Sequence, residues 1–286
     1  MSRIAYVNGR YVPHARASVH IEDRGYQFAD GVYEVCEVKA GKLIDERRHM
    51  ERLVRSLREL KIALPMTLKA LGVVLRETIA RNRVQDGLVY LQITRGVARR
   101  DFVFPAEGTK PSIVVIARSK DPAKTESASL AGIAVVTTKD NRWDRVDIKT
   151  VGLLPNALAS QYAKEKGASE AWLVDRDGFV TEGSHSNAWI VTADKKIVTR
   201  PAEHGILRGI TRAVIFEVAK KLGHHIEERP FTLKEALVAR EAFNTSATQI
   251  VMPVIKIDGM TIGNGKPGEV ATALRARFYE IAEVAD

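Results

Sequence analysis

The sequence predicts an α+β fold in two domains, because strand-like and helix-like segments follow one another without the regular alternation of a parallel α/β sheet. The chain has 286 residues, more than a single core usually holds. A polar stretch without apolar periodicity separates two blocks that each contain strands and helices. We therefore expect an N-terminal α+β domain over 1–118, a linker over 119–130 and a C-terminal α+β domain over 131–286.

The first block opens with a predicted hairpin. Asn8-Gly9 tolerates the positive φ angles of a type I′ turn and lies between two short strand-like segments. Apolar residues then recur at helical spacing from Met50 to Leu60 and again from Leu68 to Ile79. The strand patterns of this block cover 32–38, 88–94 and 113–117.

The second block mixes the same kinds of element. Thr232 followed by Glu235 is a capping box, which predicts a short helix from Leu233. A longer helix is expected from about Asn156, with Gly167 closing it. The other patterns are strands at 133–137 and 171–174, hairpin turns at 177–178 and 258–259, and a last helix with Val270, Leu274, Phe278 and Ile281 on one face.

Composition narrows the class of protein. The net charge is +9, but Lys and Arg are scattered among 35 acidic residues, so nucleic-acid binding is not expected. We expect the positive surface to attract carboxylates and phosphates instead. The single cysteine, Cys36, cannot form an internal disulfide, which favours a reducing, cytoplasmic location. No apolar run approaches the roughly 20 residues needed to span a bilayer.

Common catalytic motifs are absent from the sequence. There is no G-x-G-x-x-G, G-x-x-x-x-G-K-[ST], H-E-x-x-H or G-x-S-x-G pattern. Dinucleotide, P-loop, zinc-protease and serine-hydrolase functions therefore lack their usual support. No metal site is expected.

Three stretches carry the chemistry of this chain: DRGYQFADGVYEVCEV at 23–38, VDIKTVGLLPNALASQYAKEKGASEAWLVDRDGFVTEGSHSN at 146–187 and ILRGITR at 206–212. Together they resemble the D-amino acid transaminases, which belong to the fold-type IV family of pyridoxal phosphate enzymes. The resemblance runs from the opening hairpin to about Val254. It implies a two-domain fold, pyridoxal 5′-phosphate as the cofactor, and a homodimer in which both subunits line the site.

Two residues carry the central chemistry that the resemblance implies. A transaminase needs an amine that holds the cofactor aldehyde as a Schiff base and later moves a proton, and the matching lysine is Lys149. A carboxylate beside the pyridine nitrogen keeps that nitrogen protonated, and the matching residue is Glu182 in T-E-G-S. The Schiff-base lysine is expected in the C-terminal domain.

The resemblance also implies a set of cofactor contacts. A phosphate is well held by backbone N–H groups at a helix N-terminus and by a cation. The matching residues are Gly209, Ile210 and Thr211 at the start of a helix, Ser246 and Ala247 in a second loop, Arg52 as the phosphate arginine, and Leu207 against the ring. Ala247 replaces a hydroxyl residue usual in the family, so only its backbone amide is available.

The resemblance also implies a set of residues that bind the substrate carboxylate, the carboxylate trap, but only part of that set is present in this sequence. Tyr33 matches the family tyrosine, and aligning T-R-G and F-P places Arg100 on the trapping arginine, with Arg99 as an adjacent alternative. Phe102 occupies the position of the family histidine, so one donor of the trap is missing.

The implied activity is transfer of the amino group of a D-amino acid, such as D-alanine, to a keto acid such as 2-oxoglutarate by a ping-pong mechanism. Three alternatives remain open. Branched-chain aminotransferases commonly carry a tyrosine where this chain has Leu154, which disfavours that activity. An (R)-amine transaminase is compatible with the altered trap, and an aminodeoxychorismate lyase shares the fold and the cofactor.

Overall fold

A computed structural model describes residues 3–203 and 205–285. They form two compact units. The first unit contains the described residues up to Asp121, the segment Ile148–Gly152 and the C-terminal residues from Glu283. The second contains Pro122–Asp147 and Leu153–Ala282. Strands and helices mix in both units, so the predicted α+β class is confirmed. Within the described ranges, no helix is long and apolar enough to cross a membrane.

The elements alternate irregularly along the chain. The helices are α1 (Arg24–Phe28), α2 (Glu46–Glu59), α3 (Leu68–Arg81), α4 (Pro122–Ala131), α5 (Leu154–Glu165), α6 (Ile210–Lys221), α7 (Leu233–Leu237) and α8 (Glu269–Arg277). The strands are β1 (Ile4–Val7), β2 (Arg10–Pro13), β3 (Gly31–Lys39), β4 (Lys42–Ile44), β5 (Gly87–Thr94), β6 (Ser112–Ser119), β7 (Ile133–Lys139), β8 (Glu170–Val174), β9 (Phe179–Gly183), β10 (Asn187–Val191), β11 (Ile197–Thr199), β12 (Ile226–Glu228), β13 (Phe231–Thr232), β14 (Glu241–Ser246), β15 (Ile250–Ile257), β16 (Met260–Thr261) and β17 (Val284–Ala285).

The first unit is built on an antiparallel sheet with strand order β17-β4-β3-β5-β6-β1-β2. Alternate residues of β3, including Cys36 and Val38, join a core with Leu53 of α2 and Leu75 of α3. The intervening residues of β3, among them Tyr33, point to the opposite face because successive strand side chains alternate. Burial raises the pKa of the Cys36 thiol well above its usual value, which fits a core residue.

The short segment that carries Lys149 belongs to this first unit. The Tyr33 N–H donates to the Lys149 carbonyl at 3.0 Å, and the Val151 N–H donates to the Gly31 carbonyl at 3.1 Å. Since β5 pairs with β3 along its whole length, the segment must lie along the other edge of β3. The expectation that Lys149 lies in the C-terminal domain is therefore corrected: backbone pairing with β3 groups it with the N-terminal unit.

The second unit is built on a ten-stranded sheet in the order β12-β11-β10-β14-β15-β7-β8-β9-β13, with β16 paired to β15. β7 is parallel to both β8 and β15, and β11 is parallel to β12, while the other pairs are antiparallel. The largest fully buried side chains of this unit are Trp172, Trp189, Phe231 and Phe243. This mixed sheet positions the turns that follow β9 and β14.

Several local predictions are confirmed. Asn8 and Gly9 have φ angles of 45° and 92° between β1 and β2, as a type I′ turn requires. Thr232 and Glu235 form the reciprocal capping box of α7. Gly167, at φ 72°, follows the end of α5.

The segment expected to be a linker instead contains α4. The residue of this helix that is identified as buried is Ser129, a polar residue. The sequence therefore shows no apolar stripe there. Pro122 supplies a first helical residue with a suitable φ, and Gly132, at φ 76°, closes the helix with an N–H bond to the Ala128 carbonyl at 2.8 Å. An ion pair of 3.0 Å from Arg275 to Glu126 ties the helix to its own unit. A polar helix of this kind is stabilised by tertiary contacts that no sequence period reveals.

Glu241 is a buried carboxylate that caps α8. Its two oxygens accept from the Val270 N–H at 3.1 Å and the Ala271 N–H at 3.0 Å. A negative charge at a helix N-terminus satisfies N–H groups that have no partner within the helix and complements the helix dipole. Gly268 allows this close approach, because a Cβ there would lie 1.9 Å from the Glu241 carboxyl carbon.

Candidate active site

Lys149 lies beside Tyr33 in the first unit. The Lys149 side chain is partly buried, and its Nζ is 4.2 Å from the centre of the Tyr33 ring. The Lys149 backbone N–H donates to the Ser56 hydroxyl of α2 at 3.4 Å. Tyr33 in turn stacks on Tyr90 with 5.6 Å between ring centres. Backbone pairing and two aromatic rings therefore fix the surroundings of this amine.

Arg52, in the same unit, lies in a buried cluster with Glu34 and His49. Arg52 Nε and Nη2 donate to the two Glu34 oxygens at 2.8 and 2.7 Å, and His49 Nδ1 lies 2.8 Å from Glu34 Oε2. Burial works to raise the pKa of Glu34, but Arg52 and His49 lower it to about 2. Glu34 follows Tyr33 in β3, so its side chain points to the opposite face of the strand. Arg52 is held there within electrostatic range of Tyr33.

The predicted trap arginines lie on the surface. Arg99 and Arg100 are exposed, and Arg100 Cζ is 5.1 Å from the Phe28 ring centre and 5.8 Å from that of Phe102. Phe102 is 81% exposed. Among the described residues, the side-chain contacts found for Arg100 are with these rings rather than with Tyr33, so the predicted pairing of Tyr33 and Arg100 remains a prediction.

Glu182 lies at the end of β9 in the second unit and is almost fully buried. Its carboxylate accepts from Asn187 Nδ2 at 2.9 Å and from the Leu207 backbone N–H at 3.2 Å, and it forms an ion pair with Arg142. Burial raises the pKa of the Glu182 carboxyl, while Arg142 and the Leu207 N–H act in the opposite direction. The carboxylate is therefore fixed in position and poorly solvated.

Arg142 is a site residue that the sequence analysis missed. Its Nε donates to Asp140 Oδ1 at 3.0 Å and its Nη2 to Asp140 Oδ2 at 2.8 Å, while Nη1 contacts Glu182. The Thr181 hydroxyl also donates to Asp140, at 2.8 Å. The positive charge of Arg142 opposes the effect of burial on the pKa of Glu182 and so favours its ionised form. Forty residues separate Arg142 from Glu182, so spacing alone gave no indication of the pair.

Asn187 is a second missed residue, although it closes the quoted stretch 146–187. Its Nδ2 donates both to Glu182 and to the Leu207 carbonyl, each at 2.9 Å. A Cβ on Gly209 would lie 2.1 Å from Asn187 Oδ1, so glycine permits the close approach. Asn187 also pairs across the sheet with Thr245, the residue before Ser246. It therefore links Glu182 to both predicted phosphate loops.

The predicted phosphate loops lie at the ends of two elements in this unit. Gly209 is the N-cap of α6 and makes no side-chain cap, so Ile210 and Thr211 open the helix. The first N–H groups of such a helix have no partner within the helix and favour an anion. Ser246 ends β14 and Ala247 follows it, both partly buried. Leu207, also partly buried, lies three residues before the first residue of α6.

Each unit, taken by itself, offers side chains or backbone groups suited to part of pyridoxal phosphate. The first unit offers a partly buried primary amine beside an aromatic ring. The second offers a buried carboxylate for a cationic ring nitrogen and an uncapped helix N-terminus for a phosphate. Among the described residues, no cluster of His, Cys, Asp and Glu is suited to a metal ion.

Comparisons with known proteins agree on one family. The amino-transferase class IV model matches residues 31–257. The chain is 39% identical over 278 residues to a D-alanine aminotransferase of Staphylococcus haemolyticus, with 97% of each chain covered. It is 42% identical over 272 residues to a D-alanine aminotransferase of Bacillus licheniformis, with 94% of each covered.

A solved structure supports the same conclusion. The T.th. branched-chain amino acid aminotransferase with pyridoxamine 5′-phosphate has a TM-score of 0.88 and 26% identity, over 98% of this chain and 94% of that chain. The fold, the family model and the full-length relatives all agree. The chain belongs to the class IV aminotransferases.

Proposed function

We propose that this chain is a pyridoxal phosphate-dependent aminotransferase that takes its amino group from a D-amino acid, with D-alanine as the preferred donor. The single observation that carries the proposal is the hydrogen-bonded group of Glu182, Asn187 and Leu207 next to the N-terminus of α6. This group matches the needs of a cofactor ring nitrogen and a phosphate. The D-alanine preference is supported by the two D-alanine aminotransferases that resemble the chain along its length.

Lys149 is the proposed catalytic residue. Pyridoxal phosphate, when bound, supplies an aldehyde that condenses with amines and a ring that withdraws electrons from the substrate Cα. The Lys149 amine would hold that aldehyde when no amino substrate is bound, and would move a proton between the substrate Cα and C4′ when one is. The Tyr33 ring, 4.2 Å from Nζ, limits where this amine can move.

Glu182 is proposed to accept a hydrogen bond from the protonated nitrogen of the cofactor ring. Its carboxylate is held by Asn187, Leu207 and Arg142, so little reorganisation is needed when the ring binds. Gly209, Ile210, Thr211, Ser246 and Ala247 are proposed to bind the phosphate with Arg52, and Leu207 to pack on the ring. Tyr33 and Arg100 are proposed to bind the substrate carboxylate.

A half-reaction screen tests the proposed substrate class. The purified holoenzyme is mixed separately with D-alanine, L-leucine and (R)-1-phenylethylamine, and loss of the aldehyde-form absorbance is followed. We expect rapid loss with D-alanine, release of pyruvate, and recovery of the spectrum on addition of 2-oxoglutarate. A faster reaction with L-leucine would identify a branched-chain enzyme, and a faster one with the amine would identify an (R)-amine transaminase.

We further propose that the enzyme works as a homodimer in the cytoplasm. An exposed apolar surface on the first unit supports the dimer: Ile21, Tyr26, Phe102 and Val103 are 68–81% exposed. Backbone contacts join the two segments that carry them, since the Ala98 N–H donates to the Glu22 carbonyl at 3.3 Å. Surfaces of this kind usually mark an interface. The lone, buried Cys36 fits a reducing compartment.

Charge placed on this surface should dissociate the dimer. We expect Phe102→Asp to raise the dimer dissociation constant by about a hundredfold, since a buried charge replaces a large apolar contact at the interface. Sedimentation velocity at several concentrations measures the change. Val238→Asp is the matched control, because Val238 is equally exposed, at 81%, but lies in the second unit. A wild-type chain that sediments as a monomer at every concentration would contradict the dimer.

A further inference from the structure

Glu170 is a buried carboxylate to which none of the steps above gives a role. It begins β8 in the second unit and is 1% exposed. An isolated buried carboxylate is costly, so one that persists is expected to be fully hydrogen-bonded. The partners of Glu170 come from two different parts of the unit, and both parts carry proposed cofactor contacts.

The first set of partners is the turn that follows Glu182. Glu170 Oε1 accepts from the His185 backbone N–H at 3.0 Å and from the Ser186 hydroxyl at 2.8 Å, and His185 Nδ1 lies 2.9 Å from the same oxygen. The turn is so close that a Cβ on Gly183 would lie 2.4 Å from Glu170 Oε1. The turn between Glu182 and Asn187 is therefore folded around this one carboxylate oxygen.

The second partner is Asn244 of β14. Asn244 Nδ2 donates to Glu170 Oε2 at 2.8 Å, and its Oδ1 accepts from the Trp172 indole N–H at 2.7 Å. Asn244 lies two residues before Ser246, at which β14 ends. The other carboxylate oxygen of Glu170 therefore holds the strand that leads into the 246–247 loop.

We infer that Glu170 is a positioning residue that couples the Glu182 turn to the 246–247 loop, so that the carboxylate for the cofactor ring and one phosphate loop are held in fixed register. The inference rests on the proposed function, because both loops are assigned there to pyridoxal phosphate. Glu170 acts through the backbone of the turn and through Asn244. Supporting residues of this kind set the geometry of the groups that touch the ligand.

Glu170 accepts hydrogen bonds on both of its oxygens, and this direction allows the positioning role to be tested by substitution. In Glu170→Gln, the single amide oxygen cannot accept from both the turn and Asn244. One of the two hydrogen-bond connections is therefore lost, whichever way the amide is turned. Adding Asn244→Asp restores the connection to residue 244 with donor and acceptor exchanged: the new amide at position 170 donates to one carboxylate oxygen at position 244. The other carboxylate oxygen there still accepts from Trp172. Glu241→Gln is the matched control, because Glu241 is a buried carboxylate of the same unit that caps α8.

Two measurements are made on each protein: affinity for pyridoxal phosphate by absorbance titration of the apoprotein, and amide hydrogen exchange of the apoprotein at 183–187 and 245–248. We expect Glu170→Gln to weaken cofactor binding by about ten- to a hundredfold, as for residues that orient metal ligands, and to speed exchange in both segments. The double variant should recover most of both losses. Glu241→Gln should lower Tm without either effect.

The outcomes separate the inference from the proposed function. Wild-type exchange at both segments in Glu170→Gln, or no recovery of exchange in the double variant, would overturn the positioning role. So would a cofactor affinity in Glu170→Gln equal to that of the wild type. If the wild-type chain binds no pyridoxal phosphate, the proposed function fails, and the exchange pattern alone still decides whether Glu170 couples the two loops.

Discussion

Replacing Lys149 with alanine is expected to lower the rate of transamination by about 10⁴-fold, because the variant loses the group that moves the proton between Cα and the cofactor. The backbone around residue 149 is held by β3 and Ser56, so the fold should survive the loss of the side chain. The measurement is the single-turnover rate with D-alanine on cofactor-loaded protein.

Two control variants show whether the loss of rate is due to the Lys149 amine itself. Lys149→Arg keeps a positive charge beside the Tyr33 ring but removes the free amine, so we expect it to be as inactive as the alanine variant. Lys166→Ala removes an exposed lysine of the second unit that lies 5.8 Å from the Tyr162 ring centre, and it should leave the rate unchanged. A Lys149→Ala protein as fast as wild type would remove Lys149 from the mechanism.

Glu182→Gln is expected to slow the D-alanine half-reaction by about 10²–10³-fold, the usual effect of removing one fixed electrostatic group from a site. Glutamine keeps the shape of the side chain and loses the charge that stabilises a protonated ring nitrogen. It also leaves Arg142 with Asp140 as its remaining carboxylate partner in the network described above. The rate and the cofactor absorbance are measured together, with thermal unfolding as a check on folding.

A second substitution separates charge from position. Glu182→Asp keeps the negative charge but draws it back by one methylene, away from Asn187 and Leu207. We expect an intermediate rate and a cofactor spectrum close to that of the wild type. If Glu182→Gln reacts as fast as Glu182→Asp, the charge of Glu182 does not support the ring nitrogen.

Much of the fold could be predicted because the decisive interactions are local. The Asn8-Gly9 turn, the Thr232–Glu235 capping box and the apolar stripe of α3 each depend on residues within a few positions. The helix α4 could not, because it lacks an apolar stripe and its Glu126 pairs with Arg275, 149 residues away in the chain. The membership of Lys149 in the first unit was missed for the same reason: it depends on pairing with β3.

The candidate site shows the same division. Lys149, Glu182 and the start of α6 were predicted as site residues because a family resemblance carries them in recognisable strings. Arg142 and Glu170 lie in quoted or neighbouring strings too, but their partners are set by the packing of strands that are distant in sequence. A buried charge is identified by its partners, and those emerge only when the sheet is assembled.

The proposed activity depends above all on the Lys149 amine, which would hold the aldehyde of pyridoxal phosphate. Borohydride reduction of the purified yellow protein, followed by peptide mapping, tests this role directly because reduction makes the bond permanent. We expect a single phosphopyridoxyl group, on the peptide that contains Lys149. A label on any other lysine, or none at all on protein that retains its cofactor, would contradict it.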